Sequence, residues 1–116
     1  MLYKGSCHCG NVTFEVEDEL TGVVECNCSI CSRKGALLWA VPHVKLRLRA
    51  ANQAPGAYTF HNHVITHRFC TVCGIHPYAE DVGGGAGDRS AYINIRCIEG
   101  IDINSIPRFA FDGRSV

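Results

Sequence analysis

The sequence predicts a mainly β protein with few, short helical turns. Residues 12–17 and 92–97 alternate apolar and polar side chains with a period of two, which is typical of a strand with one buried face. The alternating apolar positions are Val12, Phe14 and Val16 in the first segment and Ile93, Ile95 and Cys97 in the second. No window of a dozen residues sustains the i, i+3, i+4 apolar spacing of an amphipathic helix. At this length the chain is expected to form one domain over residues 1–116.

Three further extended segments are predicted between these two. The run "GALLWAVP" at 35–42 is apolar and bounded by glycine and proline, and it predicts a buried strand. The run "KLRLRA" at 45–50 alternates cationic residues with leucine and predicts a strand with a solvated face. The segment "GAYTFHNHVITHRFC" at 56–70 carries β-branched and aromatic residues on both sides of Asn62, and we expect a hairpin that turns near residues 61–63.

The remaining chain is expected to be irregular. Short helical turns are predicted at residues 29–34 and 104–106. The run "GGGAGD" at 83–88 predicts a flexible loop, because glycine loses the most backbone entropy on ordering and this run has few side chains to compensate.

Composition and charge exclude several classes of partner. Eleven Lys and Arg balance eleven Asp and Glu, so no global positive field attracts nucleic acid or an anionic lipid surface. No stretch approaches the ~20 consecutive apolar residues of a membrane span. The beginning, "MLYKGSCHCG", has no charged segment followed by an apolar run, so we expect no secretory signal and a cytoplasmic, reducing location.

Eight cysteines in so short a chain predict either metal binding or disulfide bonds. A reducing compartment disfavours stable disulfides, and cysteines two residues apart are held in poor bridging geometry. A redox role for "CTVC" at 70–73 is also disfavoured, because such motifs open a helix and no helical pattern follows Cys73. The cysteines therefore favour metal sites.

Two cysteine pairs together supply the four ligands of a structural zinc site. Each pair lies in a tight turn that ends in glycine, as "CHCG" at 7–10 and "CTVCG" at 70–74. The economical closure uses Cys7, Cys9, Cys70 and Cys73 around one ion. Because this site joins segments some sixty residues apart, zinc binding would contribute on the order of 10 kcal/mol to folding. Chelation is expected to unfold the protein.

The triplet Cys26, Cys28 and Cys31 has three thiolates, the ligand number of a catalytic zinc with an open position. The alternative is a second closed site, completed by Cys97 or by a histidine. Cys97 lies in phase with the inward residues of its predicted strand, where an unligated cysteine behaves as a small apolar side chain.

The histidines give a weaker signal. His61, His63 and His67 share one face of the predicted hairpin by parity, but polar residues beside a turn are usually only solvated. His76, in "CGIHP", follows the second cysteine turn, so a role in stabilising that turn is favoured over direct coordination. No general base is apparent.

Five ordered segments resemble the glutathione-dependent formaldehyde-activating enzyme family, which also includes the domain of centromere protein V. They are "GSCHCGNVTFEVE", "CNCSICSRKG", "HRFCTVCGIHPY", "INIRCIEGID" and "FDGR", and the resemblance runs from Tyr3 to Arg114. It implies a β-tent-like fold of coiled antiparallel sheets with two zinc ions, the second site being the less completely filled. It assigns the structural zinc to Cys7, Cys9, Cys70 and Cys73 and the second zinc to Cys26, Cys28 and Cys31.

The resemblance also implies a carbon–sulfur lyase, whose name-giving reaction joins glutathione and formaldehyde as S-hydroxymethylglutathione. The hypothesis is that a small thiol fills the open zinc position, loses its proton and adds to an aldehyde carbon. The alternative is a non-catalytic zinc-binding structural or protein-interaction module. That module would hold two ions tightly, would have no affinity for small thiols, and would lose its fold when Cys28 is replaced.

Overall fold

The computed structural model describes residues 1–81 and 89–115 and consists of two β-sheets joined by short helical turns. The strands are β1 (Leu2–Ser6), β2 (Val12–Glu17), β3 (Val23–Cys26), β4 (Leu38–Pro42), β5 (Leu46–Ala50), β6 (Gly56–Tyr58), β7 (Ile65–Phe69), β8 (Tyr78–Asp81), β9 (Ser90–Asn94) and β10 (Arg108–Phe111). One α-helix, α1 (Cys31–Lys34), is a single turn, and 3-10 turns lie at His43–Lys45, Ile95–Cys97, Ile103–Ser105 and Gly113–Ser115. The prediction of a mainly β protein is confirmed.

The sheets differ in size and are mostly antiparallel. The smaller sheet has the strand order β1-β2-β5, and the larger has the order β10-β3-β4-β9-β8-β7-β6. Every strand pair is antiparallel except β3 with β10, which runs parallel. An isolated bridge between Gly5 and Ile98 links the smaller sheet to the chain that follows β9. Within the described ranges, no helix has the length and apolarity to span a membrane.

The larger sheet has one face toward the core and an opposite face toward a cavity, and the strand register decides which residues lie on each. Trp39, Ile93 and Tyr78 lie side by side on β4, β9 and β8, and all three are buried in the core. Because side chains alternate along a strand, the next row points to the opposite face. That row is Ala40, Tyr92, Ala79 and His67.

The core lies between the two sheets. Val12, Phe14 and Val16 of β2 are buried there, as the alternation predicts. Tyr3 of β1 meets Trp39 of β4 edge to face, with ring centroids 5.3 Å apart and an interplanar angle of 84°. This is a favourable aromatic geometry, and it ties the smaller sheet to the larger one.

The two central segments form strands as predicted. In "GALLWAVP", Leu37, Trp39 and Val41 are buried, whereas Leu38 and Ala40 face the cavity, so the strand is buried in the core on one face only. The "KLRLRA" strand has the predicted solvated face. Its only buried residue is Leu46, and even Leu48 is 39% exposed.

The hairpin and both helical turns are also confirmed. β6 pairs with β7, and the turn between them contains His61 and His63 at φ of 59° and 56°. The helical turns correspond to α1 and to the 3-10 turn at Ile103–Ser105. The predicted loop at 83–88 lies outside the described residues.

One strand is shorter than predicted. The alternation indicates a strand through Cys97, but β9 ends at Asn94. The side chain of Asn94 accepts a hydrogen bond of 3.2 Å from the Arg96 N–H, which caps a 3-10 turn over Ile95–Cys97. A local side-chain to backbone hydrogen bond therefore competes successfully with extension of the sheet.

Candidate metal sites and the adjoining cavity

The first cysteine cluster joins the turn after β1 to the turn after β7. The sulfur atoms of Cys7, Cys9, Cys70 and Cys73 all lie within 4.8 Å of one another. The Sγ atom of Cys9 is 3.7 Å from that of Cys7 and 3.6 Å from that of Cys70. These contacts are much longer than a disulfide bond of about 2.05 Å, and all eight cysteines are free thiols. The cluster can hold a metal ion.

Backbone hydrogen bonds in this cluster lower the pKa of Cys70 and Cys73 and so favour their thiolate forms. Gly10 and Gly74 close the two turns at φ of 83° and 82°, which is the left-handed region that glycine enters without strain. The N–H groups of Val72 and Cys73 donate to the Cys70 sulfur at 3.4 and 3.5 Å. A hydrogen bond from the Ile75 N–H is the main cause that lowers the pKa of Cys73 to about 6.

The second cluster lies between β3 and α1. Cys26 ends β3 and Cys31 begins α1, and their sulfur atoms lie with that of Cys28 within 4.8 Å of one another. The Cys28 N–H donates to the Cys26 sulfur at 3.4 Å. Burial raises the pKa of Cys31 to about 12. A cation beside the Cys31 sulfur would favour its thiolate form, and the cluster can hold a metal ion.

A fourth side-chain donor does not join the second cluster. Among residues 1–81 and 89–115, the metal-type group at Cys26, Cys28 and Cys31 includes no further Cys, His, Asp or Glu. Cys97 instead packs, partly buried, against the hydrophobic core. Burial raises the pKa of that thiol to about 11.

The chain after β10 folds over the second cluster. The Asn27 side chain donates to Asp112 Oδ1 at 2.9 Å, and its oxygen accepts from the Arg114 N–H at 2.9 Å. A Cβ atom added at Gly113 would lie 2.6 Å from the Cys26 sulfur. Glycine is therefore the residue that lets this segment approach the cluster so closely.

A cavity of about 920 Å³ opens beside the second cluster, and all three cysteines line it. Its floor is the face of the larger sheet that carries Ala40, Tyr92 and Ala79. Its walls come from the β6–β7 turn, from α1 and from the segment after β10. A molecule bound in this cavity would therefore lie next to the three cysteine side chains of the second cluster.

His67, which lines this cavity, lies next to a lysine and a second histidine. Lys34 Nζ lies 3.0 Å from His67 Nδ1, and the His67 ring lies 6.0 Å from the His76 ring between centroids. Burial lowers the pKa of Lys34 to about 8. Burial and the Lys34 cation lower the pKa of His67 to about 4. At neutral pH, Lys34 therefore donates to a neutral His67, which carries its remaining proton on Nε2.

The structure gives the predicted histidines different positions. His61 and His67 line the cavity, whereas His63 is exposed and shares a 2.7 Å hydrogen bond with the Thr59 hydroxyl. Within the described chain, none of the three belongs to a metal-type group. His76 donates from Nδ1 to the Arg68 carbonyl at 2.6 Å, so it stabilises the cysteine turn as predicted.

Sequence reasoning misses several residues of this site. Phe60 and Tyr92 carry no spacing signal, because they lie far apart in the sequence and only the folded chain brings them together. Lys34 had one available signal, the "CNCSICSRKG" segment within the resemblance. Gly113 had one available signal, the "FDGR" segment within the resemblance.

Two comparisons with known proteins identify the family and the fold of this chain. The family model "Glutathione-dependent formaldehyde-activating enzyme" matches residues 2–102, a range that contains every cysteine of both clusters. A crystal structure of a Rhodobacter sphaeroides protein, a structural genomics target, superposes with a TM-score of 0.75 at 28% sequence identity. The match covers 91% of this chain and 99% of that one. The chain belongs to the glutathione-dependent formaldehyde-activating enzyme family.

Proposed function

We propose that this protein is a zinc-dependent carbon–sulfur lyase-type enzyme that adds a small thiol, such as glutathione, to an aldehyde carbon or removes it. The observation that carries the proposal is the three-cysteine cluster that lines a large cavity without a fourth side-chain donor in the described chain. Family membership supports chemistry with glutathione and formaldehyde.

The donor atoms of both clusters fit zinc. Thiolates are preferred zinc ligands, and tetrahedral geometry with zinc–sulfur bonds of about 2.3 Å separates the sulfurs by about 3.8 Å. The measured separations in the first cluster, 3.6 and 3.7 Å, agree with that value. We assign a structural zinc to Cys7, Cys9, Cys70 and Cys73 and a second zinc to Cys26, Cys28 and Cys31. When bound at the second site, zinc would supply an open position at which a thiol ionises.

The chemical step is balanced without a redox partner. The thiol sulfur forms a bond to the aldehyde carbon, the carbonyl π bond breaks, and the thiol proton ends on the former carbonyl oxygen. For a thiol of pKa about 8.5, full ionisation at pH 7 contributes roughly 2 kcal/mol. Holding both reactants together contributes more, up to roughly 7–11 kcal/mol in well-oriented cases. The cavity's main contribution is therefore to position the aldehyde beside the sulfur.

We assign to His67 the role of binding the carbonyl oxygen. Because Lys34 occupies Nδ1, the neutral ring has Nε2–H as its free donor, and this side chain lines the cavity. The N–H of a neutral imidazole can donate a hydrogen bond to an oxygen that gains negative charge during the reaction. Lys34 fixes the tautomer, so we assign it a positioning role.

The proposal is tested by exchange NMR on the zinc-loaded protein with glutathione and ¹³C-formaldehyde. We expect the wild-type protein to accelerate exchange between the free aldehyde and the adduct, and Cys28→Ser to lose at least 100-fold of the acceleration while keeping its fold. Cys97→Ser is the matched control, because Cys97 lies outside both clusters, and it should retain the activity. Equal acceleration by Cys28→Ser would contradict a role of the second cluster in the reaction, and an unfolded Cys28→Ser protein would favour the non-catalytic zinc module.

A further inference from the structure

The cavity beside the second cluster is much larger than formaldehyde requires. Its volume of about 920 Å³ lies near the upper end of small-molecule sites, which range over roughly 300–1,000 Å³. Formaldehyde has two heavy atoms and occupies about twice the ~30 Å³ of one water molecule. Most of the space beside the three cysteines is therefore available to something other than that aldehyde.

The chemistry of the lining is apolar. Aliphatic and aromatic side chains from six separate elements and turns surround the space: Val24, Ile30, Leu38, Phe60, Ile65 and Phe111. The floor between them is built from Ala40, Ala79 and the Tyr92 ring, so small residues leave room over the middle of the sheet. Such a surface gains free energy by covering an apolar group, in proportion to the area removed from water.

The lining offers little to a highly charged ligand. In the part of the chain that the structure describes, it contains one arginine, Arg114, and no lysine or acidic side chain. Glutathione carries two carboxylates and one ammonium at neutral pH. Burying such groups without partners is costly. The cavity is therefore suited to the other reactant.

We propose that the cavity binds an aldehyde whose carbonyl carbon carries a medium-length alkyl chain. This inference rests on the proposed function, since the carbonyl carbon has to lie beside the sulfurs of Cys26, Cys28 and Cys31. The substituent lies over the part of the cavity floor formed by Ala40. The product is the corresponding hemithioacetal, formed by the same balanced addition of S–H across the carbonyl.

The test uses a homologous series from ethanal to hexanal, with formaldehyde as a separate reference, on the zinc-loaded protein. Glutathione, cysteine and 2-mercaptoethanol serve in turn as the thiol, and exchange NMR gives the catalysed rate constant. Because the straight-chain aldehydes have similar carbonyl reactivity, a rise with chain length reports binding of the chain. Full burial of one methylene corresponds to about a fourfold gain. We expect a rise of at least about tenfold between ethanal and hexanal.

Two results would overturn the inference in different ways. The protein could convert formaldehyde and ethanal while its rate constant stays flat or falls toward hexanal. That result would contradict the apolar substrate class and would leave the proposed lyase activity in place. No accelerated adduct formation with any aldehyde and thiol would overturn the proposed function, and this inference with it.

A pair of variants locates the effect in the cavity. Ala40 is exposed on the cavity floor, so Ala40→Phe should fold and should reduce the hexanal-to-ethanal ratio to below about threefold. Ala57→Phe adds the same ring on an exposed strand position outside the lining, and it should keep the wild-type ratio. An unchanged ratio in Ala40→Phe would contradict the placement of the chain in this cavity.

Discussion

Cys28 and Cys73 each supply one sulfur to a cluster, yet their loss should have different consequences. Cys73 completes a four-sulfur group that joins segments sixty residues apart, whereas Cys28 belongs to a group formed within residues 26–31. Structural zinc contributes on the order of 10 kcal/mol to folding. Cys73→Ser is therefore expected to unfold at ambient temperature. Cys28→Ser should keep its melting temperature within a few degrees while losing one zinc per chain.

Metal analysis and thermal unfolding monitored by circular dichroism check this difference. Cys97→Ser is the control that should retain both ions. If Cys28→Ser showed no cooperative unfolding transition, the second cluster would be needed for the fold. That result would contradict the unequal roles of the two sites.

Gly113 is the residue whose replacement should act most specifically on the second cluster. A methyl group at this position would lie 2.6 Å from the Cys26 sulfur and 3.1 Å from Cys28 Cβ, so the segment would have to move away. We expect Gly113→Ala to weaken zinc at this site at least tenfold, measured by competition with a chromogenic chelator. Ala110→Ser, which adds one atom on exposed β10, should leave the affinity unchanged. Equal affinities would contradict the close approach.

His67 should stay neutral well below its ordinary pKa. Burial first, and the Lys34 cation second, lower its pKa to about 4. Because the folded-state pKa is depressed, the unfolded chain binds the proton more readily between about pH 6.5 and 4. The stability contributed by neutral His67 is therefore complete above pH 6.5 and is lost as the pH falls toward 4.

An NMR titration of the imidazole carbons tests this shift. His67 should show no protonation at pH 5.5, and Lys34→Met should raise its pKa, because the nearby cation is removed. Lys45→Met removes an exposed lysine outside the cavity lining and serves as the control. A His67 pKa near 6.5 in the wild-type protein would contradict the buried Lys34 contact.

At the scale of elements, sequence patterns indicated strands most clearly where one face enters the core. The alternation in β2 and the apolar run in β4 identify their strands, because a face buried in the core requires apolar side chains in the sequence. β10 has no such requirement, since all four of its residues are exposed. Its parallel pairing with β3 joins segments more than eighty residues apart, which no local pattern encodes.

The segment after β10 covers the second cluster, and we expect the Asn27 side chain to be the main group that holds this segment in place. Its amide makes two hydrogen bonds of 2.9 Å to this segment, and net contributions of about 1 kcal/mol each are typical. Asn27→Ala should therefore loosen residues 112–114 and weaken the second zinc roughly tenfold.

Hydrogen exchange and chelator competition measure these two effects. Asn104→Ala, at another exposed asparagine, is the matched control. Faster exchange in the 112–114 segment with unchanged zinc affinity would show that the segment does not support the metal site.

At the scale of the whole molecule, ligand counting separated the cysteines as the structure groups them. The spacing identified two pairs and a triplet, and the fold brings the pairs together across the two sheets. The cavity was not predictable in this way. Its floor depends on which residues of β4, β9, β8 and β7 lie side by side, and that register is a property of the folded sheet.

The proposed chemistry depends on one asymmetry, a closed four-sulfur site and a three-sulfur site with a free coordination position. ¹¹³Cd NMR of the cadmium-loaded protein measures this asymmetry, because each site gives its own resonance and the shift reports the number of bound sulfurs. On addition of glutathione, we expect the resonance of Cys26, Cys28 and Cys31 to move toward the four-sulfur position while the other stays fixed. Two four-sulfur resonances before any thiol is added, or no movement on its addition, would contradict it.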